Sequence, residues 1–119
     1  MFSYGAMVAR CLEAAETVAG EGIETRVVDL RSLSPLDVDL IAGSVRETGR
    51  AVVVHEAPKT LGLGAEVTAL IVEEAFDFLE APVARVTGFD IPYPAARAEE
   101  EYLPDLDRVL DAVDRSMEW

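Results

Sequence analysis

Ala51-Val52-Val53-Val54, running on into His55-Glu56-Ala57-Pro58, is the stretch that decides the fold. Four small or β-branched apolar residues in a row show no polar alternation. That is the pattern of a strand covered on both faces, which belongs in a parallel sheet with helices on either side. Upstream, Ser34-Pro35-Leu36-Asp37 predicts a helix start, with Ser34 as the cap and Pro35 in the first helical position. Asp37 stands where a carboxylate helps free amides. Val38, Ile41, Ala42 and Val45 give that helix its apolar stripe, and Gly49 ends it. Downstream, a loop from His55 to Leu63 leads into a helix from about Gly64 to Leu79, with Val67, Leu70, Ile71, Ala75 and Phe78 on its buried face.

The same alternation extends outward in both directions. Ala6 to Gly20 reads as a helix whose apolar face is Val8, Cys11, Leu12, Ala15, Val18 and Ala19, and Ile23 to Leu30 reads as a strand. Pro82 precedes a strand from Val83 to Thr87. Gly88 to Pro104 reads as a loop, and a last helix runs to Met117 with Leu106, Val109, Leu110, Val113 and Met117 facing inward. Met1 to Tyr4 reads as the stub of a first strand, truncated, whose loss would leave a sheet edge open to self-association. The expectation is one domain over residues 1–119, a three-layer α/β/α architecture around a mostly parallel sheet.

Composition narrows the function. Half of the 119 residues are hydrophobic, enough for a packed core. No apolar run reaches the roughly 18 residues of a membrane span, and the first residues lack the basic and apolar regions of a signal peptide, so a soluble cytoplasmic protein is expected. There are 23 acidic and 10 basic residues, a net charge of −13, which disfavours nucleic acid and anionic membranes and favours a basic protein partner. Nine of the basic residues are Arg and only Lys59 is Lys, a balance that fits salt adaptation or a GC-rich genome. The single cysteine, Cys11, lies among Val8, Leu12 and Ala15 and reads as a core thiol.

Three stretches could carry chemistry or contacts. Gly62-Leu63-Gly64 opens a helix after a strand, where a nucleotide-binding turn would sit, but Val67 stands at the third glycine position. A glycine-rich entry that permits close packing is the simpler reading. His55 and Glu56 sit at the carboxyl end of a buried strand, where ligands bind in open parallel sheets. Neighbouring residues on a strand point to opposite sides, and no nucleophile is spaced to join them. Orienting the next loop, or lining an interface, is the reading preferred over a small stand-alone enzyme. Gly88-Phe89-Asp90-Ile91-Pro92-Tyr93-Pro94 is stiffened by its prolines and carries aromatics unsuited to a solvated loop, which points to packing on a partner or on the core. Glu99-Glu100-Glu101 reads as a solvated charge run with some prospect of docking a basic partner.

Four stretches taken in order resemble a known family. They are Tyr4-Gly5 with Met7-Val8, Val28 to Asp37, Val53 to Thr60 with Gly62, Gly64, Ala65 and Glu66, and Val86-Thr87-Gly88 with Asp90, Pro92 and Pro94, closing at Tyr102-Leu103-Pro104. This is similar to the C-terminal domain of the β chain of thiamine-diphosphate-dependent 2-oxo acid dehydrogenases, the pyruvate and branched-chain enzymes, a domain shared with transketolases. The resemblance implies a transketolase C-terminal-like fold and a non-catalytic role in assembly and docking. Its implied partners are the α chain, a second β chain and the basic subunit-binding domain of the lipoyl acyltransferase. It implies that thiamine diphosphate and magnesium are held elsewhere in the parent enzyme, so no catalytic, cofactor or metal residue is carried over. The expected interface residues are His55, Glu56, Phe89, Asp90, Tyr93, Glu99, Glu100 and Glu101. Three departures stand out: Leu61 where the family commonly has glycine, Leu63 where an aromatic is common, and an Ala95 to Glu101 stretch more acidic and less proline-rich than usual.

Overall fold

The computed structural model describes residues 1–119. Its sheet has four strands, β1 (Phe2–Ser3), β2 (Val28–Asp29), β3 (Val52–Pro58) and β4 (Ala84–Gly88). They lie in the order β2-β1-β3-β4, and every pairing is parallel. The expected α/β/α layering is present, with a short first strand that sits inside the sheet rather than at its edge. Phe2 is in register with both Val28 and Val53, so β1 is flanked on both sides and exposes no free edge. The open edges belong to β2 and β4.

The helices are α1 (Met7–Ala19), α2 (Val38–Thr48), α3 (Leu63–Ala75), α4 (Glu99–Tyr102) and α5 (Leu106–Met117). Side-chain alternation along β3 sorts them into two layers. Val52 and Val54, with Val86, pack against Met7, Cys11, Ala14 and Val18 of α1 and Val109, Ala112 and Val113 of α5. Val53, with Phe2 and Val28, packs against Ile41 and Val45 of α2 and Val67, Ile71 and Ala75 of α3. Burial on both faces explains the unbroken valine run.

Several local expectations change. The strand read from Ile23 to Leu30 shrinks to Val28–Asp29, because its only neighbour is the two-residue β1. The buried face of α1 is Met7, Cys11, Ala14 and Val18, while Leu12 is exposed. Asp37, not Ser34, caps α2: its carboxylate accepts the Leu40 N–H at 3.0 Å, and Ser34 and Pro35 precede the helix. Phe78 is half exposed, because α3 ends at Ala75 and a 3-10 turn, Phe76–Phe78, swings both phenyl rings outward. Met117 is likewise exposed in the last turn of α5. Glu99-Glu100-Glu101 forms the short helix α4 rather than open loop.

Cys11 is fully buried in the α1–sheet–α5 layer, and burial pushes its thiol pKa up. A protonated, enclosed thiol is a packing group, not a nucleophile.

Candidate functional site

The strand β3 runs four residues past the valines, so His55, Glu56, Ala57 and Pro58 belong to it rather than to a loop. Pairing with β4 shifts register between Val54 and Pro58, and such irregularities re-aim side chains. His55 has the same parity as Val53, faces the α3 layer and is wholly buried. Its Nε2 accepts the N–H of Gly64 at 2.9 Å. Gly62, the residue before α3, offers no capping side chain. His55 therefore satisfies a free amide of the helix start from nine residues upstream.

This contact explains both glycines. A Cβ on Gly64 would lie 2.2 Å from His55 Nε2, and one on Gly62 would lie 2.1 Å from Pro58 O. The close-packing reading of Gly62-Leu63-Gly64 holds. The space and the Gly64 amide that a phosphate would need are taken by the imidazole, which removes the structural basis for nucleotide binding. Tyr4 stacks on His55, ring centroids 6.0 Å apart. His55, expected at an interface, is wholly buried within this chain and orients the loop backbone instead. Glu56, on the opposite parity, is half-buried and makes no pair with it.

An imidazole accepting at Nε2 is neutral, with its proton on Nδ1, which has no partner. Burial lowers the His55 pKa below 6.5. The unfolded chain takes up that proton near the ordinary value while the folded chain resists it. The stabilising contribution is thus complete above about pH 6.5 and is lost as pH falls through the lower folded value. Urea unfolding between pH 7.5 and 5 should show the parent chain losing stability faster than His55→Gln, which keeps an acceptor without titrating. Parallel pH profiles for the two chains would disprove the buried neutral imidazole.

The segment after β4 builds a second arrangement. Gly88 lies tight under the chain: a Cβ there would meet Glu56 O at 2.2 Å and Tyr102 Oη at 2.4 Å. Tyr102 is 3% exposed and sits at the centre, with Phe89 and Tyr93 edge-on to it at 6.2 and 5.0 Å. Arg108 covers Phe89 at 4.7 Å and donates from Nη2 to Thr87 O. Asp90 receives the N–H and hydroxyl of Thr60 at 2.9 and 2.6 Å, and these bonds hold its carboxyl below the usual range. Tyr93 donates to Glu99, which pushes the phenol up to about 12. The result is an ordered platform: Phe89, Ile91 and Tyr93 are each about half exposed, at 48%, 54% and 54%, and are rimmed by Asp90, Glu99, Glu100 and Glu101. Seven of the eight expected interface residues thus remain available at the surface. The roles of Thr60, Tyr102 and Arg108 were not legible in sequence, because each acts on a residue far along the chain.

Leu61 ends the Thr60 loop at φ +60 with 97% of its surface exposed. A left-handed backbone suits glycine, and this side chain packs on nothing. Leu61→Gly should raise stability by about 0.5 kcal/mol, the relief of strain exceeding the added entropy of the unfolded chain. A lower melting temperature for the variant would show that Leu61 makes a contact.

No group of three or more His, Cys, Asp or Glu side chains is placed to hold a metal ion, and the α3 entry is packed by His55. No helix is long and apolar enough to cross a membrane.

Comparison with known proteins gives a consistent result. Residues 1–109 match the model of the family described as transketolase, C-terminal domain. The chain is 51% identical over 117 residues to the pyruvate dehydrogenase E1 component subunit beta of Leifsonia xyli subsp. xyli, covering 98% of this chain and 35% of that one. It is 52% identical over 114 residues to the 3-methyl-2-oxobutanoate dehydrogenase subunit beta of Mycobacterium tuberculosis, covering 95% and 33%. Among solved structures it is similar to a split-gene transketolase, described as an inactive beta4 tetramer, with TM-score 0.83, 35% identity, and coverage of 98% of this chain and 37% of that one. The chain spans about a third of the length of these relatives.

Proposed function

The chain belongs to the transketolase C-terminal domain family, and from that premise we propose that it is the assembly and docking domain of the β subunit of a 2-oxo acid dehydrogenase. In this reading residues 1–119 act as one unit. The reacting centre, with its thiamine diphosphate and magnesium, lies in other domains of the parent enzyme and is shared with the α chain. The observation that carries the docking role is the platform around Tyr102: a fixed apolar centre within an acidic rim. Interfaces place aromatic anchors at the centre and charge at the margin. A net charge of −13 steers a small basic domain toward it, such as the subunit-binding domain of a lipoyl acyltransferase, and away from nucleic acid or anionic membrane. Pairing with a second β chain is supported by apolar side chains left uncovered on and after α3, namely Val72, Phe76 and Phe78. Relatives named for two different 2-oxo acids match at nearly equal identity, so this domain does not select the substrate.

Calorimetric titration of the chain with such a subunit-binding domain tests the docking role. Saturable binding is expected, weakening from about 50 to 300 mM salt and falling about tenfold when Glu99, Glu100 and Glu101 are all changed to Gln. A folded chain that binds equally well without those charges would sink the acidic-rim reading. Sedimentation tests pairing: concentration-dependent association should vanish in Phe76→Asp.

A further inference from the structure

Positive charge is scarce on this chain, and half of it is matched locally. Arg10, Arg26, Arg31, Arg50 and Arg115 lie against Glu13, Glu47, Asp29, Glu80 and Asp111. Lys59 and Arg85 make no ion pair, although Lys59 lies near the Asp90 carboxylate; Arg85 donates from Nη1 to Lys59 O at 3.1 Å. Both line one groove with Arg115 and Trp119, and no Asp or Glu lines it. In a chain with 23 acids and 10 bases, three cations around one depression, only Arg115 of them ion-paired, run against the composition.

The groove follows an open sheet edge. β4 is last in the sheet and pairs only with β3. Ala84 gives its N–H to Ala51 O at 3.0 Å. In a parallel ladder the next residue, Arg85, then turns its own N–H and C=O outward. Thr87 O is occupied by Arg108, so the free edge is the short stretch from Val83 to Arg85. Beside it stands Trp119, 76% exposed.

We infer that this groove takes an extended acidic segment of another polypeptide. The segment's backbone pairs with Arg85, its carboxylates meet Lys59 and Arg85, and an alternate side chain rests on the Trp119 indole. The overall negative charge does not prevent this: at physiological salt the screening length is about 8 Å, so the groove's own cations dominate. Basic residues also guard sheet edges against pairing. A guard has no use for an exposed indole, and that favours an occupant. The groove shares no residue with the aromatic platform, so this inference stands independently of the docking reading.

Trp119 is the only tryptophan, so its emission reports occupancy directly. The chain is titrated at about 150 mM salt with a short peptide alternating Glu and Val, and with its Lys-for-Glu counterpart. The acidic peptide should shift Trp119 emission to shorter wavelength saturably, and the basic one should not. Lys59→Glu and Arg85→Glu should each weaken the acidic peptide about tenfold, and Arg97→Glu, at an exposed unpaired arginine, less than about twofold. Lys59 is exposed, so its variant tests the site without disturbing the core. Absence of a saturable shift, equal response to the basic peptide, or equal weakening by Arg97→Glu would each overturn the inference.

Discussion

Gly64→Ala should lower the unfolding free energy by about 3 kcal/mol, the upper range for overpacking a closed site. The added methyl meets His55 Nε2 at 2.2 Å and Cδ2 at 2.6 Å. His55 cannot step aside: it is fully buried, with Tyr4 stacked on it and Val53 on the same face. Moving it also strips the Gly64 amide of its acceptor, a second cost of about 1 kcal/mol. Gly43→Ala is the internal control. Gly43 lies inside α2, and a Cβ there meets nothing within 4 Å. That substitution should raise stability by about 0.5–1 kcal/mol through helix propensity alone. Urea unfolding of the two variants should therefore move the midpoint in opposite directions. A neutral Gly64→Ala would mean that His55 does not occupy the α3 entry.

Tyr102→Ala should cost about 3–5 kcal/mol, as for a large buried aromatic, and should also weaken docking. The ring is the common contact of Phe89 and Tyr93, so its loss removes what fixes both exposed aromatics. Binding of a basic subunit-binding domain should fall about tenfold or more, because the partner must then order the platform itself. Tyr102→Phe keeps the ring and should cost about 1 kcal/mol or less. Chemical denaturation gives the first quantity and calorimetry the second, measured where each variant remains folded. Full affinity in a folded Tyr102→Ala chain would move the docking surface away from this platform.

Residue order alone determined the class of fold, and the reason is local periodicity. An unbroken valine run can only be covered on both faces, and stripes such as Ile41, Ala42 and Val45 need only their own helix to be seen. The order of the four family-like stretches also identified the domain, since their spacing runs along the chain. Lengths and edges depended on neighbours. β2 is two residues long because β1 is, and no feature between Ile23 and Leu30 says so. The site was half legible. The aromatics Phe89 and Tyr93 were visible as residues out of place in a loop, while Glu99-Glu100-Glu101 read as a solvated charge run. What holds them was not: Thr60 on Asp90 and Arg108 on Phe89 join positions 30 and 19 apart. His55 is the clearest case. As a sequence it is a lone histidine at a strand end, open to catalysis, interface or packing alike. Only the tertiary structure decides, because strand alternation turns the ring to the face on which α3 begins, where one unmatched amide awaits an acceptor and two glycines leave it room.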